Sequence, residues 1–228
     1  MNDASPFRVP PVSAEQVESF TRLICDGHED EAHHMVEDLL SGGASPEALM
    51  LTLLAPAARL MGECWCQDRR DFVEVTLGMA RMQQLVRQFR LPSAAPEELH
   101  GHALLVPVPG EQHTFGIRLV EEHLLRAGWR VTALLKVGEA EIARLAAEEH
   151  FDFIGFSVSS ERLLPALRSA IRSLRSSSRN RNVRIAVGGV LFDGRNIAPR
   201  DIDVDAIVLD AQDAVNQASE WSGLAGVE

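Results

Sequence analysis

Apolar residues recur at helical spacing from Val12 to about Arg90, and no run of β-branched residues there is long enough to argue for a strand. Ser13 stands where a helix N-cap would, ahead of Val17, Phe20, Leu23 and Ile24. A second helix is predicted from Glu29 to Leu40, closed by Gly42 and Gly43. Ser45, Pro46 and Glu47 then read as N-cap, first-position proline and first-turn acid. The helix they open passes Leu49, Leu53, Leu60 and Met61, and Pro56 is expected to kink it. A fourth helix is predicted from Asp71, carrying Val75, Leu77, Met79, Met82, Leu85 and Val86. Four helices with short connections predict a small bundle.

Leu91-Pro92-Ser93-Ala94-Ala95-Pro96 breaks this pattern, and beyond it the period changes. Five short apolar runs, at 103–108, 131–135, 153–157, 183–187 and 206–209, are each followed by ten or more residues of helical character. Continuous apolar strands alternating with helices predict a doubly wound α/β unit, its five-stranded parallel sheet covered on both faces. The predicted organisation is an arm at 1–12, a four-helix bundle at 13–91, a linker at 92–101 and an α/β domain at 102–228. Sheets of this class bind ligands at the carboxyl ends of their strands, so chemistry is sought in the loops leaving them.

Composition adds bounds. The 228 residues, 46% hydrophobic and 24% charged, suit one large globular domain or two small ones, and with Tyr absent the core must be mostly aliphatic. A formal net charge of -11 argues against non-specific binding to nucleic acid. All but one of the 22 positive residues are Arg, and seven fall between Arg162 and Arg184 with no carboxylate among them. Arg168, Arg172, Arg175 and Arg179 share one helical stripe: a solvated face, or a patch for an acidic partner or DNA phosphates. Cys25, Cys64 and Cys66 are too few and too clustered for a disulfide framework. The N-terminus has no apolar signal region, and no stretch reaches the roughly 18 uninterrupted apolar residues of a membrane span. A soluble cytoplasmic protein without membrane contact is expected.

Candidate chemistry begins in the loop Gly110-Glu111-Gln112-His113-Thr114-Phe115-Gly116, on leaving the first strand. A carboxylate two residues before a histidine can hold one ring nitrogen and leave the other as a metal ligand. Gly110 and Gly116 let the backbone approach a bulky ligand. Ser157-Val158-Ser159 follows the third strand and Gly188-Gly189 the fourth. In this order the three pieces resemble the cobalamin-binding domain of methionine synthases, methyltransferase corrinoid proteins and light-sensing cobalamin regulators. That family's motif is Asp-x-His-x-x-Gly, then Ser-x-Leu, then Gly-Gly. The resemblance implies a flavodoxin-like fold, with His113 as lower axial cobalt ligand and Glu111 orienting it. Gly116 closes the first motif, Ser157 would line the channel for the nucleotide tail, and Gly188 and Gly189 would leave room for that tail. Glu111 stands where the family has Asp, and still reaches the imidazole; Ser159 stands where it has Leu, removing an apolar wall.

From about Pro46 to Leu91 the first module resembles the helical cap over the upper corrin face in the same proteins, most recognisably at 54–57 and 61–65. Trp65 corresponds to the cap tryptophan beside the upper axial group; a bundle-core aromatic is the other reading. The Glu-His pair that follows in the light sensors is replaced by Val75-Thr76. His33 and His34 then stand between cobalt capture and a solvated helix face, and Cys64 and Cys66 between cofactor approach and small buried packing. As a whole the chain is similar to the cobalamin-binding antirepressors of photosynthesis genes in purple bacteria, the AerR/PpaA type, a resemblance carried by the 111–116 loop and the stretch Asp71 to Leu77. This implies a light-responsive regulator with no reaction of its own, holding adenosylcobalamin in the dark and hydroxocobalamin after light. Its partner would be a repressor of the PpsR/CrtJ kind, with any DNA contact indirect or secondary. No helix-turn-helix segment precedes the cap, so a DNA-binding photoreceptor of the usual layout is not expected. A corrinoid methyl-carrier subunit of a methyltransferase system shares both modules and stands as the alternative.

Overall fold

The computed structural model describes residues 12–89, 99–193 and 197–223; the predicted arm through residue 11 and the linker from 92 to 98 lie outside the described residues. The chain divides into two compact units, Met1–Pro92 and Ser93–Glu228.

In the first unit, α1 (Ala14–Asp26) opens with a reciprocal capping box: the Ser13 hydroxyl accepts from the Gln16 N–H, and the Gln16 side chain accepts from the Ser13 N–H. Helix α2 is Glu29–Ser41. Ser45 caps α3 (Pro46–Leu49), which runs through a π-helical segment, Met50–Leu54, into α4 (Ala55–Cys66). The disturbance expected at Pro56 takes this form. Proline donates no N–H, and just ahead of it the Ala55 N–H reaches back to the Met50 carbonyl in the wider turn. Asp71 and Glu74 form a second capping box at the start of α5 (Phe72–Gln88). Phe20, Ile24, Leu53, Leu54, Met61 and Met82 are fully buried. A Cβ on Gly78 would lie 2.9 Å from Met61 Sδ and 3.2 Å from Cys25 Sγ, so its bare backbone lets α5 approach α1 and α4. The stretch Pro46–Cys66 is long and apolar enough by composition to cross a membrane. Its Leu49, Met50, Leu53, Leu54, Ala57 and Met61 are all fully buried, which accounts for that apolarity.

The second unit is a five-stranded sheet, entirely parallel, in the order β2-β1-β3-β4-β5. Its strands are β1 (His102–Pro107), β2 (Arg130–Ala133), β3 (Phe153–Ser157), β4 (Arg184–Gly188) and β5 (Ala206–Ile207). Between them run α6 (Phe115–Arg126), α7 (Glu139–Glu148), α8 (Leu164–Ser177) and α9 (Pro199–Ile202), with α10 (Ala211–Trp221) last. Ile142, Leu167 and Ile171 from α7 and α8 pack with Leu104, Ile154 and Ile185 in one core. Ile117 and Leu124 from α6, with Ala214 and Ala218 from α10, pack with Ala103, Leu105 and Phe153 in the other. This is the doubly wound, flavodoxin-like arrangement. It differs from expectation after β4, where the helical run of ten or more residues is replaced by a 3-10 turn, Val190–Phe192, and the four-residue α9. Gly189, with φ 118, stands just ahead of the 3-10 turn, and Pro199 is the first residue of α9, where it donates no N–H that could extend the helix backward. The strand order reverses between β1 and β3, where Pro107 pairs with Ser157, and Ser157 with Gly188 on the other side. The crevice outside these strand ends is the ligand position of the fold class.

Candidate functional site

Two loops meet at that crevice, one leaving β1 and one leaving β3. Glu111, its side chain only 2% exposed, joins them. Its Oε1 accepts from the backbone N–H groups of Gln112 and His113, each at 2.8 Å, and from the His113 ring Nδ1–H at 2.7 Å. Its Oε2 accepts from the Ser159 N–H at 2.6 Å. Burial pushes the Glu111 carboxyl up, but the hydrogen bonds from His113 and Ser159 outweigh it and hold the group at about 2. The charged carboxylate in turn raises the His113 imidazole above its ordinary value, against the opposing effect of burial. With Nδ1–H committed to Glu111 and the side chain 74% exposed, Nε2 carries the lone pair available to an incoming metal. The glutamate that departs from the family's Asp therefore makes the orienting bond.

Around this pair, a Cβ on Gly116 would meet nothing within 4 Å, so the first turn of α6 is open on that side. Gly110 turns the loop with φ 93. Ser157 is half-buried at the end of β3, level with Gly188. A Cβ on Gly188 would stand 2.9 Å from the Val208 carbonyl oxygen; on Gly189, with φ 118, it would stand 2.2 Å from that of Val158. The contacts that demand these glycines are with the protein's own backbone, a requirement additional to any room for a ligand. Besides a side-chain hydrogen bond that helps to hold the Glu111 carboxyl down, Ser159 gives its backbone N–H, a contact that the loss of the family's leucine does not touch. Sequence reasoning missed that donor, since a main-chain N–H has no residue-type signature. It also missed Val190 and Leu209, which stand 55% and 58% exposed just beyond β4 and β5 and offer apolar surface at the same edge. Their one signal was placement directly after strand ends.

The helical unit holds the other candidates. Trp65, on the last turn of α4, is 47% exposed and is not a bundle-core aromatic. Phe72 and Leu77 on α5 are exposed as well. Thr76 is exposed and Val75 half-buried. Cys64 is buried, but Cys66 is exposed, which corrects the expectation of buried packing for it. His33 donates Nδ1–H to the Glu29 carbonyl within α2 at 2.7 Å, and His34 is exposed, as befits a solvated helix face. On α8 and beyond, the Arg stripe is largely occupied. Arg168 donates to the Asp201 carbonyl, Arg175 to the Asp203 carbonyl and the Asp205 carboxylate, and Arg179 to the Glu148 carbonyl. Among the described residues only Asp203 and Asp205, both beside Arg175, bring carboxylates to this stripe; its other acceptors are main-chain carbonyls.

Comparison with known proteins accords with this geometry. A family model described as B12 binding domain matches residues 101–219, and a second model of the same description matches residues 16–89. Over 176 residues, 76% of this chain and 91% of the relative, the sequence is 28% identical to a 20.5 kDa protein of the bchF-crtJ intergenic region of Rhodobacter capsulatus. The monomethylamine corrinoid protein of Methanosarcina barkeri matches in fold with a TM-score of 0.73 at 16% identity, over 91% of this chain and 99% of its own.

Proposed function

The chain belongs to the B12 binding domain family, and we propose that it is a light-responsive regulator that binds a repressor of the PpsR/CrtJ kind and relieves repression of photosynthesis genes. The observation that carries its cofactor chemistry is the Glu111–His113 pair, a fixed imidazole with one free nitrogen beside the strand-order reversal. Support for a regulatory role comes from the likeness to the protein of the bchF-crtJ intergenic region.

Bound cobalamin would supply a cobalt–carbon bond that light breaks. The chain's own contribution is positional. Glu111 fixes the His113 tautomer and ties the ligand-bearing loop to the loop after β3 through the Ser159 N–H. Tension at the histidine is thereby passed to the main chain of a second loop, which a partner protein can read. A difference of about 1–3 kcal/mol in partner affinity between dark and lit forms is ordinary for such coupling.

The test is the absorption spectrum of the protein loaded with adenosylcobalamin, before and after green or near-ultraviolet light, with repressor affinity measured in both states. A lasting spectral change with altered repressor affinity is expected. Demethylation of bound methylcobalamin by an added acceptor, with repressor affinity indifferent to light, would move the assignment to a methyl carrier.

A further inference from the structure

Of the seven arginines between Arg162 and Arg184, five donate to acceptors of the protein itself: Arg168, Arg175, Arg179, Arg181 and Arg184. Among the described residues Arg162 and Arg172 have neither a hydrogen bond nor an ion pair, and both are exposed. The fold separates these two. A helix that joins parallel strands returns the chain from the carboxyl edge of the sheet to the amino edge, so Arg172, midway along α8, is carried away from the His113 loop. Arg162 stays at the carboxyl edge, on the 3-10 turn Glu161–Leu163 that follows β3. The segment from Ser157 to this turn is fixed to the His113 loop at three points. The Val108 N–H donates to the Ser157 carbonyl at 3.0 Å, and the Ser159 N–H to Glu111 at 2.6 Å. Leu163 makes the third, since a Cβ on Gly110 would stand 3.4 Å from its Cδ2. With Leu163 buried, its neighbour Arg162 is left facing solvent beside the cofactor site.

The cofactor's chemistry says what such a cation meets. The side chains around a corrin ring are neutral amides, and the ionised group of the nucleotide tail is its phosphodiester. When His113 takes the lower position on cobalt, the tail is displaced toward the protein and its phosphate goes with it. That phosphate then approaches a chain of net charge -11, at a site where Glu111 already holds a negative charge. A local cation is needed to offset the repulsion, and a guanidinium matches phosphate oxygens in geometry as well as charge. Lys136 is the other exposed cation at this edge without a partner among the described residues, but it follows β2, the outermost strand. Arg162 follows β3, which borders the reversal of strand order where ligands of this fold class sit. We propose that Arg162 holds the phosphate of the cobalamin nucleotide tail, so that the site distinguishes a complete cobalamin from a corrinoid without that phosphate.

This role rests on the cofactor assignment and not on the regulatory one. The experiment is an absorbance titration of the full chain with three corrinoids in the same aquo form: cobalamin, cobinamide phosphate, which keeps the phosphate without the nucleoside, and cobinamide, which has neither. It is repeated on Arg162→Gln, Arg162→Lys and Lys136→Gln. Arg162→Gln is expected to weaken cobalamin and cobinamide phosphate about tenfold and to leave cobinamide within about twofold, so that cobinamide binding also reports an intact fold. Arg162→Lys recovers part of the loss, because it restores the charge without the planar fork. Lys136→Gln leaves all three ligands within about twofold. Affinities unchanged in Arg162→Gln, or lowered alike for all three corrinoids, overturn the proposal. An equal loss in Lys136→Gln overturns it in favour of the general charge of this edge. Weakened cobalamin with cobinamide phosphate unaffected overturns it in favour of a contact to the nucleoside. If the unaltered protein binds none of the three, the cofactor assignment itself fails and the role of Arg162 falls with it.

Discussion

Glu111 accepts four hydrogen bonds from one buried position, three from backbone N–H groups and one from the His113 ring. A glutamine there keeps the shape but turns an NH2 toward one set of those donors and removes the charge that raises the imidazole. Glu111→Gln is therefore expected to bring the His113 pKa down toward its ordinary value, read by NMR titration of the cofactor-free protein, and to weaken cobalamin binding about 10–100-fold. At residue 159 both the main chain and the side chain serve the Glu111 carboxylate, so Ser159→Ala, which keeps the N–H, is expected to weaken affinity less than Ser159→Pro, which has none. Gly189→Ala places a methyl group 2.2 Å from a backbone oxygen at φ 118, and a loss of stability of about 2–4 kcal/mol in urea unfolding is expected. Much of this scale was legible: the acid-to-histidine spacing and the paired glycines stand out as residue types. What they contact was not, since the Val158 carbonyl and the Ser159 N–H are backbone groups, which every sequence shares.

Helix starts were legible for a physical reason, because the caps that make them are local. Ser13, Ser45 and Asp71 each bond an N–H three residues on. Asp71→Ala is expected to cost about 1 kcal/mol, seen as a lower thermal midpoint, since it opens a capping box at the head of the 17-residue α5. Within α4 the two faces separate by their cost. Met61→Ala, at a fully buried position, is expected to cost about 2–5 kcal/mol. Trp65→Ala, at a side 47% exposed, is expected to cost under about 1 kcal/mol. Equal losses in the two would show that Trp65 is a packing residue after all. Elements set by tertiary partners were read less well. Pro56 announced a disturbance in its helix but not that a π-helical segment would absorb it. The short α9 and the two-residue β5 depend on how the chain docks after Gly189. The Arg stripe looked unopposed because its acceptors at 201–205 lie far along the sequence.

At the scale of the whole molecule, the acid and the histidine make both folding and cofactor affinity depend on pH, with opposite signs. In the cofactor-free protein, Glu111 goes from 4.5 unfolded to about 2 folded, so its stabilisation is present above 4.5 and is lost as pH falls through about 2. His113 is raised above 6.5, so its stabilisation is present below 6.5 and is lost as pH rises through the raised value. Metal ligation at Nε2 reverses the second sign, because the imidazole must give up its extra proton to bind. Below the raised value each binding event releases a proton, and affinity climbs with pH; above it, affinity levels off. The net charge of -11 falls away as the pH nears the isoelectric point of about 5.2, where association interferes, so the useful window is about pH 6 to 9. Cobalamin at a hundredfold excess over its dissociation constant should add about 2.7 kcal/mol of stability at the top of that window and less at the bottom. In Glu111→Gln the inflection should move to lower pH, with the imidazole no longer held by a neighbouring charge. In His113→Ala the cobalamin-dependent shift of the thermal midpoint should vanish across the window. A shift in His113→Ala equal to that of the unaltered protein at every pH would mean that cobalt is held elsewhere in the chain.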